Sequence, residues 1–171
     1  MKFQDIKLYQ IIFFLLSIAC MVMIFRFSCE NSEKSTDTSG NVTDYVVEYT
    51  VSDYEELSPA EQSSIYAKID HIVRKTAHFT IFTALGFLTS CAAGKRKLLS
   101  KSSAFVLAIC FLYACSDEIH QFFVPGRACR PLDVLIDTSG SLTGILISVL
   151  CMTICSAIIR KIYKKNEAGS P

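Results

Sequence analysis

The sequence predicts an all-α membrane protein, a polytopic bundle of four transmembrane helices with an additional amphipathic helix on its outer side. Composition is the first reason. Of the 171 residues, 51% are hydrophobic and only 19% are charged, whereas soluble globular domains carry about 25% charged residues. The second reason is the placement of the charges, which are missing from long stretches of the chain. A net charge of +1 also excludes the basic field that nucleic-acid binding requires, so we expect no nucleic-acid partner.

Four segments are almost free of charged side chains. A hydrocarbon core about 30 Å thick requires about 20 mostly apolar residues in a spanning helix. The first, second and fourth segments meet this length, and His78 is the only ionisable residue in them. We therefore predict transmembrane helices over residues 8–25, 76–94, 102–116 and 138–159.

The third segment reaches the required length only if its helix continues beyond residue 116. Helical conformation up to Phe123, just before the turn Val124-Pro125-Gly126, makes it long enough. This extension brings the polar residues of 117–121 to membrane depth. The sequence thus predicts ionisable groups at the end of a transmembrane helix.

Lysine and arginine are distributed unevenly between the connecting segments. The two termini and the loop around residues 95–101 carry 10 of the 17 basic residues and only two acids, Asp5 and Glu167. Because short basic segments stay on the cytoplasmic side, we predict a multi-pass protein of the cell membrane with both termini inside. The predicted units are an N-terminal transmembrane helix (1–27), an external polar loop (28–58), a helical core (59–160) and a basic cytoplasmic tail (161–171).

The external loop contains three kinds of segment. Glu30 to Asp44 is rich in Ser, Thr, Asp and Asn and predicts a flexible linker, and Tyr45 to Ser52 alternates weakly and predicts a short strand. Ser58-Pro59-Ala60-Glu61 has the pattern of a helix start with a capping box. The amphipathic helix that begins there either lies on the membrane surface or continues into the second span.

The 8 cysteines divide into two groups. Five lie in predicted spans, where thiols act as small apolar residues. The other three, Cys29, Cys115 and Cys129, lie near the outer face. A disulfide between Cys29 and Cys129 is one open possibility, because the sequence alone cannot assign connectivity.

Ionisable residues gather at the outer ends of the second, third and fourth predicted spans. A charged side chain at the centre of a bilayer costs about 2.5–3.5 kcal/mol on insertion scales, so such groups turn inward and pair. We therefore predict a largely charge-compensated polar pocket, open outward, between these three helices. Its members are His71, Arg74, Lys75 and His78 from the second span, Asp117, Glu118, His120 and Gln121 from the third, Asp133 and Asp137 from the fourth, and Arg127 and Arg130 from the loop.

Structural explanations exist for the same residues. Arg74 and Lys75 are typical of headgroup anchors, and Gly140 and Gly144, with Ser141 between them, form a Gly-xxx-Gly stripe that lets another helix approach closely. Pro125 and Gly126 form a turn in either case. The convergence of three helix ends on one layer favours a functional pocket over a purely structural cluster of ion pairs.

Two stretches resemble the VanZ-like family of bacterial membrane proteins. Arg74 to Phe79, followed by Leu85-Gly86, resembles the family's RKxAHF…LG motif. Residues 117–127 (DEIHQFFVPGR), followed by residues 133–137 (DVLID) and Gly140, resemble its DExHQxFxPGR…DVLxD/NxxG signature. The resemblance covers roughly residues 10–160. It departs where members often carry a Glu-Tyr pair shortly after the first motif, a place occupied here by Ile81 and Phe82.

The resemblance implies a small envelope protein, mostly found in Gram-positive bacteria, whose family namesake is linked to low-level resistance to the lipoglycopeptide teicoplanin. It implies no settled biochemical mechanism. The motif positions that it carries over to this chain are Arg74, Lys75, His78, Glu118, Gln121, Pro125, Gly126, Arg127, Asp133, Asp137 and Gly140.

We expect a protein without enzymatic activity whose outer pocket binds an anionic or amphiphilic group of a membrane lipid or lipid-linked envelope molecule, because Arg and Lys near membrane depth suit a phosphate or carboxylate. The predicted ligand-binding residues are Arg74, Lys75, His78, Glu118, Gln121, Arg127, Asp133 and Asp137, and the predicted structural residues are Pro125, Gly126, Gly140 and Gly144.

The alternative is an intramembrane hydrolase or transferase, in which Glu118 or Asp117 acts as a base beside His120 or His78. A metal-dependent version of this alternative would use His78, His120 and carboxylates as ligands. A transporter is a third class, although four spans are few for one chain. We expect no cofactor and no metal, because no His-rich ligand motif is present. The sequence leaves the oligomeric state open.

Overall fold

The computed structural model describes residues 7–30, 32–94, 100–127 and 129–168, and the side chains of these ranges except those of 32–34 and 163–168. The described part of the chain forms five α-helices and no strand, with one 3₁₀ turn at Tyr54–Glu56. The helices are α1 (Leu8–Ser28), α2 (Ser32–Thr50), α3 (Pro59–Ala92), α4 (Lys101–Phe122) and α5 (Pro131–Ala168). The prediction of an all-α fold is confirmed.

The start of α3 follows from its first four residues. The Ser58 side chain accepts a hydrogen bond from the Glu61 amide, and the Glu61 side chain accepts from the Ser58 amide at 3.0 Å. This reciprocal box satisfies two amides that have no partner within the helix. The helix then runs without interruption to Ala92, so the segment that begins at Pro59 continues directly into the second predicted span.

The interpretation of residues 45–52 as a strand is wrong, because α2 is helical through Thr50. The expectation of a flexible linker before it is also wrong for the described residues from Ser32 onward. Thr43 and Val47, four residues apart, are buried on one side of α2. Packing of this side against α3 outweighs the strand propensity of the Val and Tyr residues.

Contacts between α1 and its neighbours fix the helix directions. The Gln10 side-chain amide donates to the Ala92 carbonyl at 3.1 Å, so the start of α1 lies at the end of α3 and the two helices are antiparallel. The Tyr113 hydroxyl donates to the Met21 carbonyl at 2.6 Å, and Gln121 contacts Ser28 about two turns further along both helices. Thus α1 and α4 run parallel to each other.

The helices α3 and α5 also run parallel, and their backbones approach closely. A Cβ atom at Gly140 would lie 2.5 Å from the Phe79 carbonyl oxygen, and one at Gly144 would overlap the Thr83 carbonyl. Gly86 faces the Ser141 backbone in the same way. The Gly-xxx-Gly stripe therefore packs against α3, and the bundle alternates in direction from α1 to α3 to α4 to α5.

Three of the described helices are long and apolar enough to cross a membrane: α1, α4 and residues 131–162 of α5. The helix α3, which contains most of the second predicted span, is not among them, so the structure does not confirm four spans. Its second half nevertheless supplies Phe82 and Leu85 to the apolar core. In that core these two side chains lie with Ile24, Val106, Cys110, Ala114 and Ile145.

Candidate functional site: a polar pocket between three helices

A pocket of about 150 Å³ lies where the middle of α3, the end of α4 and the start of α5 meet. The three-helix convergence predicted from the sequence is therefore present, although the function of the residues as ligands stays a prediction. His71, Gly126 and Arg130 also line the pocket. All eight predicted ligand-binding residues line it: Arg74, Lys75, His78, Glu118, Gln121, Arg127, Asp133 and Asp137.

Two ion pairs join α3 to α5 across the pocket. The Lys75 ammonium contacts the Asp133 carboxylate, and His78 Nδ1 lies 3.7 Å from Asp137 Oδ1. The first pair lies one helical turn before the second on both α3 and α5, as the parallel packing of the two helices requires. The polar face of α3 is thus aligned with the acidic start of α5.

Asp70 is a buried acid that the sequence analysis did not single out. It is 3% exposed, and its Oδ2 lies 3.1 Å from Arg74 Nε. Its oxygens also accept hydrogen bonds from the α2 hydroxyls of Thr36 (3.2 Å), Ser39 (2.6 Å) and Thr43 (3.3 Å). An acid four residues before Arg74 is the signal that was available, because this spacing places the two on one helix face.

Glu118 holds the connection between α4 and α5. Its Oε1 accepts a hydrogen bond of 2.6 Å from the Arg130 backbone amide, and the residue is only 2% exposed. Gly126 in the same connection has φ +75°, a conformation that glycine adopts without strain, and Pro125 precedes it. Glu118 therefore fixes the loop that carries Arg127 over the pocket.

Arg127 is bound by neutral acceptors. Its Nε donates to the Glu30 carbonyl at 3.2 Å, and its Nη1 donates to Gln121 Oε1 at 3.3 Å. Among the described residues no carboxylate forms a salt bridge with it. Burial lowers the pKa of Arg127, and the positive charge of Arg74 lowers it further.

His71 lies in the same electrostatic environment. Its pKa is lowered, first by burial and then by the charges of Lys75, Arg130 and Arg74. Arg127 and His71 thus lie at one side of the pocket in surroundings that disfavour a positive charge on either side chain. Burial is the main cause of both shifts and the cationic neighbours add to it, so an anion at this side of the pocket would stabilise both positive charges.

Two carboxylates are buried beside this pocket: Asp137 lines it, whereas Asp117 lies close to His78 and Asp137 but is not among the lining residues. Asp117 is 4% exposed, and its Oδ2 accepts a hydrogen bond of 2.9 Å from the Gln121 side-chain amide. Its Oδ1 has no hydrogen-bond partner. One potential ligand atom each from His78, Asp117 and Asp137 lies within 4.8 Å of the other two.

His120 is not part of this group. Its ring lies 4.7 Å from that of Phe25, and its Nε2 lies 3.4 Å from Cys29 Sγ. The expected placement of His120 on the same side as Asp117 and Gln121 is therefore wrong, because the side chain is directed toward α1. Cys29 and Cys129 are both free thiols, so the structure holds no disulfide between them.

The apolar helices and the enclosed polar pocket define a helical membrane protein. The family comparison agrees with this class: the model of the VanZ/LLP1 family matches residues 13–152. The chain belongs to the VanZ/LLP1 family. No curated protein and no solved structure gave a match to this chain.

Proposed function

We propose that the pocket binds the anionic group of a membrane lipid or of a lipid-linked envelope molecule. The observation that supports this most strongly is the Arg127 guanidinium. Its hydrogen bonds go to neutral acceptors, and its pKa is lowered first by burial and then by the charge of Arg74, against the smaller opposing effects of Asp117, Glu30 and Glu118. A phosphate or carboxylate would supply the missing counter-charge, and a guanidinium binds either group through two parallel hydrogen bonds.

We further propose four transmembrane spans with both termini on the cytoplasmic side. The end of α3 contacts Gln10 at the start of α1, and further back along α3 the Ile81 carbonyl lies 3.8 Å from the Cys20 thiol of α1. The second half of α3 therefore runs alongside α1. If α1 crosses the bilayer, the second half of α3 crosses the same thickness. The hydroxyl groups of α3 in this half, such as that of Thr83, donate to carbonyls of their own helix, which lowers the cost of placing them in lipid. The pocket then opens to the outside.

In this proposal the protein reduces sensitivity to lipoglycopeptides such as teicoplanin, as the family resemblance implies. The test compares cells that produce the wild type, Arg127→Glu or Arg160→Glu at equal membrane levels. Arg160 is a matched control because it is exposed and lies outside the pocket. We expect the wild type and Arg160→Glu to protect and Arg127→Glu to fail. Equal protection by all three would contradict the proposal.

Binding can be measured separately from resistance. The purified protein is titrated with phosphatidylglycerol or with zwitterionic phosphatidylcholine. Because a hydrogen bond to a charged group contributes about 1.5–3 kcal/mol, Arg127→Glu should raise the Kd for the anionic lipid about 10-fold or more. Identical affinity for both lipids in the wild type would exclude recognition of the anionic group.

A second candidate function is supported by the position of His78 beside Asp117 and Asp137. A histidine between two buried carboxylates is an arrangement suited to general acid–base chemistry, in an intramembrane hydrolase or transferase acting on a lipid-linked substrate. His120 takes no part in this version, and Glu118 is engaged with the loop. Turnover of a lipid-linked phosphate by the wild type and its loss in His78→Gln would favour this function.

A further inference from the structure

The buried carboxylates of the pocket carry more negative charge than their neighbours compensate. Asp137 is 2% exposed and forms one ion pair, with His78. Asp117 forms a hydrogen bond only with a neutral amide, and its Oδ1 is buried without a partner. The nearby Lys75 and Arg74 are already paired with Asp133 and Asp70. Arg127 acts electrostatically on Asp117 but forms no salt bridge with it in the described part of the chain, so His78 is the one described cationic or potentially cationic side chain close to both carboxylates, and their burial is costly in a low-dielectric environment.

We infer that His78, Asp117 and Asp137 bind a divalent transition-metal ion at the base of the pocket. A dication neutralises both carboxylates and leaves His78 as a neutral imidazole ligand. One imidazole with two carboxylates is the donor set of Zn²⁺ and similar first-row ions rather than of Ca²⁺ or Mg²⁺, which prefer six or more oxygen ligands.

The separations of the three groups are compatible with such a site. Ligands of a tetrahedral zinc ion bind at about 2.0–2.2 Å and therefore lie about 3.5 Å from one another. His78 Nδ1 and Asp137 Oδ1 are 3.7 Å apart, and the atom from Asp117 lies within 4.8 Å of both. A side-chain movement of about 1 Å by Asp117 would complete a three-ligand site, with the fourth position directed into the pocket.

The surroundings supply the outer contacts that metal ligands need. The Gln121 amide donates to Asp117 Oδ2 and leaves Oδ1 without a hydrogen-bond partner. Such second-layer partners change metal affinity by about 10–100-fold when removed. Each ligand is on a different helix, so an ion would also join α3, α4 and α5 at one point.

The experiment measures zinc binding by the full-length protein in detergent after treatment with a chelator. We expect one Zn²⁺ per chain by equilibrium dialysis with elemental analysis, undisturbed by millimolar Mg²⁺. Asp117→Asn and Asp137→Asn should raise the Kd about 100-fold or more, and Gln121→Leu about 10–100-fold. Cys29→Ser should bind as the wild type does, which distinguishes this site from binding by the Cys29 thiol beside His120.

Cobalt substitution provides a readout that does not depend on the variants. A Co²⁺ complex of the proposed ligands shows visible d–d bands without thiolate charge transfer. A wild-type protein that binds no Zn²⁺ after chelation would overturn the proposal, because the carboxylates then share a proton instead. A thiolate charge-transfer band, or retention of full affinity by both Asn variants, would overturn it as well.

Discussion

The buried carboxylates of this protein differ in what compensates their charge. Asp70 has Arg74 and three hydroxyl groups, whereas Glu118 has a backbone amide. Asp137 has an imidazole, and Asp117 has only a neutral amide. Residues with complete partners stabilise the fold, and those with incomplete partners are the ones with capacity for a ligand.

The first prediction concerns Asp70, which connects α2 to α3. Asp70→Ala removes the acceptor of three hydroxyl groups and leaves Arg74 without its partner, so we expect a loss of about 2–3 kcal/mol in unfolding free energy. Circular dichroism melting in detergent measures the loss. Glu48→Ala, at an exposed position of α2, is the control and should melt as the wild type does. Equal melting temperatures of the two variants would contradict a role of Asp70 in stabilising the contact between α2 and α3.

The sequence predicted which residues form the pocket better than it predicted their contacts. The motif residues converge because three helix ends meet, and charge placement alone indicated this. The direction of His120 was not predictable, since residues 120 and 121 point about 100° apart on a helix and only the position of α1 decides which one faces the pocket. Asp70 was missed because its partners come from a segment that the sequence did not identify as helical.

At the scale of elements, α3 and α5 pack with their backbones in close approach. Gly144→Ala places a methyl group against the Thr83 backbone, which cannot move as a flexible side chain would, so we expect a destabilisation of about 1–3 kcal/mol. Gly40→Ala is the matched control. Its Cβ would meet only the Tyr66 hydroxyl at 3.8 Å, and alanine improves helix propensity, so α2 should gain up to about 1 kcal/mol.

Melting temperatures in detergent would measure both glycine variants. A Gly144→Ala protein as stable as the wild type would contradict the close approach of α3 and α5. Gly140→Ala should behave as Gly144→Ala does, because its Cβ would meet the Phe79 carbonyl.

The start of α3 provides a pH-dependent prediction. Hydrogen bonds from the Ser58 hydroxyl and amide lower the pKa of Glu61 below its ordinary value of 4.5. A carboxylate with a lowered pKa stabilises the folded state above the unfolded pKa, and this contribution disappears as the pH falls through the lowered pKa. Ser58→Ala should therefore reduce the melting temperature more at neutral pH than at about pH 3. An equal reduction at both values would mean that the Glu61 charge does not contribute.

Helix starts were more predictable than the packing of polar segments. The capping box at Ser58 is a local pattern, and the structure begins α3 there. In contrast, the strand expected over residues 45–52 relied on a weak alternation of apolar residues. Val47 is instead buried on a helix whose preceding residues bind α3 through Thr36, Ser39 and Thr43, and such tertiary contacts are not contained in a short window of sequence.

At the scale of the whole molecule, the alternating helix directions determine which segments share a side of the membrane. The pocket, the end of α1 and the start of α5 lie at one end of the bundle, because Ser28 contacts Gln121. The start of α1 and the end of α3 lie at the other end. A topology in which α1 crosses the bilayer and α3 does not would separate residues that are in contact.

Labelling of single cysteines in a cysteine-free background tests this topology. With four spans and cytoplasmic termini, a membrane-impermeant maleimide should label Gly40→Cys and the native Cys129 in intact cells, whereas Lys101→Cys should react only after permeabilisation. Lys101 and Cys129 are exposed and Gly40 is partly exposed, so a lack of reaction reports the membrane side. Labelling of Lys101→Cys in intact cells would favour three spans and would place the basic residues that follow α3 outside, against their strong preference for the cytoplasm.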